Sequence, residues 1–177
     1  MEKKCRTIVY LIAFGLLAAV YGRENNDGCS CPASKFEDGT YYSQYYEDYI
    51  LSYVFKDYKK GYYIDVGAND PNIDNVTRYF YEKGWRGINI EPIVDKFSKI
   101  VQCRPGDSNY NCGISNKEGK MTFYQESDSG SQGLSTFDKE DAEKFKRERG
   151  INFKEISVPV TTLDKILAKV SPPEITF

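Results

Sequence analysis

The residues best suited to chemistry lie between Gly61 and Pro92. A β-rich run, Tyr62-Tyr63-Ile64-Asp65-Val66, ends in an acidic residue and passes into the turn Gly67-Ala68-Asn69-Asp70-Pro71. About 26 residues after Asp65 a second run, Gly87-Ile88-Asn89-Ile90, ends in Glu91 and is closed by Pro92. In an α/β sheet, ligands bind beyond the carboxyl ends of the strands. Gly67 has no side chain to hold a ligand off the backbone. An acidic group ending the second strand is placed to accept hydrogen bonds from both hydroxyls of a ribose. The expected ligand is therefore a nucleoside. The turn lacks the three-glycine pattern that seats a pyrophosphate on a helix N-terminus, and Asp65 and Asp70 would set carboxylates beside phosphates. S-adenosylmethionine has no phosphate and carries a cationic sulfonium and ammonium, so it suits this turn better than NAD does.

Composition removes most other chemistry. The chain of 177 residues contains no histidine, which excludes Ser-His-Asp triads, Cys-His dyads, HExxH zinc sites and C2H2 fingers. With 24 Lys+Arg against 26 Asp+Glu, the net charge of −2 provides no electrostatic footprint for nucleic acid. Cys29-Ser30-Cys31 lacks further ligands at metal-binding spacing, so no metal site is expected.

Several elements must position the turn and Glu91. A helix is expected from Ser43, where Tyr46, Tyr49, Ile50, Tyr53 and Val54 recur at helical spacing and would pack on a sheet. After the strand at Tyr62–Val66, a helix over Val76–Lys83 should be capped by Asp74 or Asn75 and stopped at Gly84. A strand ending at Glu91 leads into a helix over Ile93–Val101, and Asn109–Ser115 reads as a weaker third strand. Asn116-Lys117-Glu118-Gly119 looks like a hairpin turn into Met121–Tyr124. A charged helix over Asp138–Arg149, a strand over Glu155–Val160 and a helix over Thr162–Val170 follow. Pro172-Pro173 then breaks the chain before Ile175-Thr176-Phe177, the first residues of another strand. This alternation gives an α/β fold with a mostly parallel sheet, expected to be truncated before its fourth core strand is complete.

Residues 1–22 read as a signal peptide or signal anchor. Lys3, Lys4 and Arg6 precede an uncharged run from Thr7 to Tyr21, about 15 residues against the roughly 20 that span a bilayer. Either form places the remainder in the secretory pathway, secreted or lumenal in the ER or Golgi, with a membrane partner only if the segment stays uncleaved. Residues 23–40 are polar and read as a flexible linker. In an oxidising compartment Cys29, Cys31, Cys103 and Cys112 allow three pairings, with Cys103–Cys112 the first expected. Asn75-Val76-Thr77 is a glycosylation sequon, but at a helix start its Asn serves better as a cap. Ser127–Ser135 reads as a flexible loop, either covering a substrate or simply solvated.

Three segments together resemble the FkbM-type methyltransferases: Ser43–Asp48, Gly61–Pro71 and Gly84–Pro92. The similarity continues more loosely through Arg104-Pro105, Asn111–Ser115 and Val158–Asp164. The resemblance implies a class I Rossmann-like fold over 41–177 that uses S-adenosylmethionine, with methyl transfer to an oxygen of a sugar or small metabolite. It implies that Asp65, Gly67, Ala68 and Asn69 line the methionine end, that Glu91 takes the ribose, and that Asn111 lies beside the adenine. Family members continue into a strand of the type Ile-Asp-x-Glu-Gly, which would begin where this sequence stops. The expectation is therefore a partial active site with no catalytic base named. The alternative is an inactive secreted pseudoenzyme or binding module of the same fold.

Overall fold

The computed structural model describes residues 34–36, 39–127 and 133–177. The leader segment, most of the linker, and Cys29 and Cys31 lie outside the described residues. Among those described, no helix is long and apolar enough to cross a membrane. The end of the stretch read as linker contains a small antiparallel ribbon, β1 (Ser34–Phe36) on β2 (Gly39–Tyr41).

Helix α1 (Glu47–Val54) starts four residues later than Ser43. The reason is Asp48, which is buried and accepts hydrogen bonds from the Tyr42 N–H (2.5 Å) and the Ser43 hydroxyl (2.6 Å). Tyr46, not Ser43, is the N-cap residue, but the Ser43 hydroxyl also accepts from the first-turn N–H of Asp48 (3.3 Å), so Ser43 ties the preceding turn to the helix. The same anchor sets the rotation of the helix. Leu51 and Phe55 face the aromatic core, while Tyr46, Tyr49, Ile50, Tyr53 and Val54 are exposed. The helical period was legible, but the face expected to pack on the sheet is the outer one.

Three strands form a parallel sheet in the order β3 (Tyr62–Val66), β4 (Arg86–Ile90), β5 (Ser108–Tyr110). Their crossovers are α2 (Val76–Glu82) and α3 (Val94–Cys103). The Asn75 side chain caps α2 by accepting from the Arg78 N–H, and Gly84, at φ 89°, ends the turn behind it. Tyr63, Phe80 and Trp85 cluster on one side of the sheet; Ile88 and Ile90 meet Ile166 on the other. Both faces are thus covered, as a parallel sheet requires.

The expected third strand divides. β5 is followed by β6 (Gly113–Ile114), which joins a second sheet with β7 (Gly119–Glu126) and β8 (Phe153–Thr161) in the order β6-β8-β7. Residues 116–119 therefore make no hairpin: β8 lies between the strands they connect, parallel to β6 and antiparallel to β7. This second sheet is mixed, which qualifies the mostly parallel expectation. Helix α4 (Lys139–Arg149), capped by Asp138, precedes β8, and α5 (Leu163–Val170), capped by Thr162, follows it. Ile175–Phe177 lies beside β3: Thr176 N–H donates to the Tyr62 carbonyl (2.8 Å), and Ile64 N–H donates to that of Phe177 (2.9 Å).

The expected Cys103–Cys112 bridge is not formed. Cys103 is exposed at the end of α3, where Asn72 Nδ2 approaches its sulfur, whereas Cys112 packs behind the parallel sheet against the Ile88–Ile90–Ile166 cluster.

Candidate functional site

Parallel pairing brings the carboxyl ends of the first sheet into one line, with Val66 opposite Ile90 and Ile90 opposite Tyr110. The ladder runs one step further. Gly67 N–H donates to the Ile90 carbonyl (2.8 Å) and Glu91 N–H to that of Tyr110 (3.0 Å). Gly67, Glu91 and Asn111 thus form a row along the carboxyl edge. Gly67 has φ 79°, the left-handed region glycine favours, and the space where a Cβ would stand is open to 4 Å. Ala68 is buried and contributes backbone: its N–H reaches the Ile90 carbonyl, and its own carbonyl accepts from Asn75 Nδ2 at 3.0 Å. Asn69 is left-handed too, at φ 53°.

Glu91 is 4% exposed and joins the two strand ends. Its Oε2 accepts from the Asn69 N–H and its Oε1 from the Ile93 N–H, both at 2.8 Å. A carboxylate has about four acceptor sites, so each oxygen keeps capacity for a further donor. Burial raises the Glu91 pKa, opposed by those two amides and by the Lys96 ammonium. Lys96 itself donates from Nζ to Asn69 Oδ1. Burial lowers the Lys96 pKa, with Glu91 the foremost of the carboxylates opposing it.

Asn111 donates from Nδ2 to the carbonyls of Glu91 (2.8 Å) and Pro92 (3.1 Å), fixing the chain as it leaves β4. Beside it, a groove of about 290 Å³ is lined by Pro92, Ile93, Asn111, Ser157 and Pro159, among others.

Asp65 turns toward the start of α2, where its Oδ2 accepts from the Thr77 hydroxyl at 2.8 Å. Burial raises its pKa, partly offset by that hydroxyl and by the Arg104 guanidinium. Arg104 is itself buried and donates to the Pro71 carbonyl (2.8 Å) and Asn75 Oδ1 (3.2 Å), so it braces the bend from below. Asn75 and Thr77 are both buried, which makes the sequon a structural clamp. The far end of the Ser127–Ser135 stretch also approaches the bend. A Cβ on Gly133 would stand 3.5 Å from Asn69 Nδ2, and Leu134 N–H reaches Glu126 Oε2 at 3.4 Å.

The structure therefore gathers Gly67, Ala68, Asn69, Glu91 and Asn111 at one edge and sets Asp65 behind them. Lys96 and Arg104 went unassigned by the sequence. The only signal for Lys96 was its place on the helix just after Glu91; Arg104 lay within the looser similarity without a role. The edge offers a buried pair of carboxylate oxygens, open space above a glycine and an adjoining groove of about 290 Å³.

Residues 65–177 match the family model described as the methyltransferase FkbM domain. No curated protein and no solved structure matched the chain. The matched stretch begins at the acidic end of β3 and takes in the bend, Glu91 and Asn111, and on that ground the chain belongs to the FkbM methyltransferase family.

Proposed function

We propose that this chain uses S-adenosylmethionine to methylate a hydroxyl oxygen of a sugar or small metabolite, working in the secretory pathway. The observation that carries the reading is the buried Glu91 carboxylate, held by the Asn69 and Ile93 amides with acceptor capacity remaining on each oxygen. In this reading Glu91 receives the ribose hydroxyls, and the groove between Pro92, Ile93 and Asn111 takes the adenine. The backbone of Gly67–Asn69 borders the methionine end. When bound, the cofactor supplies an electrophilic methyl group on a cationic sulfur.

The chain's own contribution is placement. Holding two reactants in line supplies several kcal/mol of barrier lowering, roughly 7–11 at best. The protein achieves this with a bend clamped from above by Glu91 and from below by Asn75 and Arg104. Neither nearby aspartate is assigned as general base: Asp65 is spent on Thr77, and Asp70 pairs with Lys99 at 3.1 Å. The basic, then apolar, first 22 residues support the secretory placement.

Titration calorimetry of the full chain with S-adenosylhomocysteine and with NAD tests the proposal. Saturable binding of the first alone is the expected result. Binding of NAD instead, or no binding by folded protein, would overturn it. Binding without methyl transfer to a panel of sugars and small alcohols would favour an inactive binding module.

A further inference from the structure

Lys96 lies on the first turn of α3, five residues beyond Glu91, with its ammonium half-buried and donating to Asn69 Oδ1. The carboxylates of Glu91, Glu126 and Asp70 act on it, drawn from the end of β4, the end of β7 and the bend; Lys99, on its own helix, opposes them. Lys99 is exposed and paired with Asp70, so its charge is already balanced. Lys96 is held on the Asn69 side chain at the bend, whereas Arg104 lies beneath it on the Pro71 carbonyl and Asn75. Nothing about binding a diol on Glu91 calls for an ammonium there, and an acidic bend alone would hold a cationic ligand more strongly.

We infer that Lys96 is a charge-discriminating residue of the donor site: its ammonium, fixed on Asn69 beside Glu91, weakens the hold on a cationic donor relative to its neutral product. This rests on the S-adenosylmethionine reading. S-adenosylmethionine carries a sulfonium where S-adenosylhomocysteine carries an uncharged thioether, and the two are otherwise nearly isosteric. A residue that merely shapes the bend by holding Asn69 would affect both ligands alike. A fixed charge acts on the difference between them, and it acts more strongly in a half-buried setting than in bulk water. The consequence is a site in which the Lys96 charge shifts the balance between the charged donor and the spent one toward the spent one, by acting on the one feature that differs between them.

The test compares the full-length wild type with Lys96→Gln and Lys96→Arg, measuring Kd for both ligands by calorimetry. Lys96→Gln should lower the ratio Kd(S-adenosylmethionine)/Kd(S-adenosylhomocysteine) by about three- to tenfold, the range expected for one unit charge at an intermediate dielectric. Lys96→Arg should keep the wild-type ratio within about twofold, because the charge remains. Equal changes in both Kd values for Lys96→Gln would overturn the inference while leaving the donor reading intact. Failure of the wild type to bind either ligand would remove both. Should the Gln variant not fold, the wild type still decides: the same ratio should fall from low to high salt, and a salt-independent ratio would count against Lys96.

Discussion

The backbone N–H of Asn69 donates to Glu91 Oε2 at 2.8 Å, so the bend after β3 and the acidic end of β4 are one unit. Asn69 sits at φ 53°, in the left-handed region that asparagine enters more readily than most non-glycine residues. Glu91 helps to hold it there while its other oxygen receives Ile93 N–H. A side-chain amide cannot replace this arrangement, since one of its two ends is a donor that would face a donor. Glu91→Gln should therefore lower stability by about 1–3 kcal/mol and weaken S-adenosylhomocysteine binding at least about tenfold. Urea unfolding and calorimetry check the two parts. Unchanged affinity in the folded variant would separate Glu91 from the ligand.

The burial of Glu91 also sets a pH dependence with two opposite slopes. Its pKa is raised on folding, so the native state binds the proton more readily than the unfolded chain does. The associated stability is present below the unfolded carboxyl value and is lost as pH rises through the native one. Asp65, raised by burial too, acts in the same direction. Ribose binding needs the ionised form, so ligand affinity should fall as pH drops through the window in which this contribution to stability rises. Kd measured from neutral to mildly acidic pH should show that loss beginning above the ordinary carboxylate range. Glu91→Gln should flatten the slope.

Asn75 offers a test of the clamp below the bend. Its side-chain oxygen accepts from Arg78 N–H (2.8 Å) and Arg104 (3.2 Å), with the Thr77 hydroxyl that serves Asp65 3.0 Å away, and its Nδ2 donates to the Ala68 carbonyl (3.0 Å). Asn75→Ala removes a helix cap and leaves buried donors unmatched, at a cost of about 2–4 kcal/mol in a urea melt. Because the sequon is buried, protein made in a secretory host should carry no glycan at Asn75. Mass spectrometry before and after glycosidase treatment decides this.

What the sequence disclosed followed from local rules. Tyr62–Val66, the Asn75 cap, the Gly84 stop and the acidic strand end at Glu91 each depend on near neighbours, and each lies where expected. The inner face of α1 did not, because apolar residues line both sides of that helix and period alone gives no phase; the buried Asp48 decides it. The pairing of β6, β7 and β8 was also hidden. A polar turn at 116–119 resembles a hairpin until a strand some 40 residues later inserts between its arms. Lys96 and Arg104 escaped for another reason. Their long side chains reach the bend from a helix turn and from the segment after α3, and composition does not say where a flexible cation ends up.

Arg104 supplies the next test. Its guanidinium is buried, meets three acceptors under the bend and lies near the Asp65 carboxylate. Arg104→Met keeps the bulk but leaves those acceptors unpaired, so a loss of about 3–5 kcal/mol is expected in a urea melt. Arg104→Lys should recover part of it, because a point charge cannot match a fork of donors. Full recovery would show that the charge alone matters.

The pairing of Tyr63 with Gly87 can be examined by a mutant cycle. The two are opposite each other across β3 and β4, and a Cβ on Gly87 would stand 2.2 Å from Tyr63 Cδ2 and 2.5 Å from the Tyr63 carbonyl oxygen. The ring cannot move aside easily, because its hydroxyl is held by Asp107 at 2.5 Å, and Asp107 also accepts from Gly87 N–H and Asn89 Nδ2. Gly87→Ala should therefore destabilise by about 2–3 kcal/mol, the upper range for overpacking a filled core. In a Tyr63→Ala background the ring clash disappears while the carbonyl contact remains, so the penalty should shrink without vanishing. Equal penalties in both backgrounds would place the whole strain on the backbone, and with it the reason this strand needs glycine two residues before Asn89.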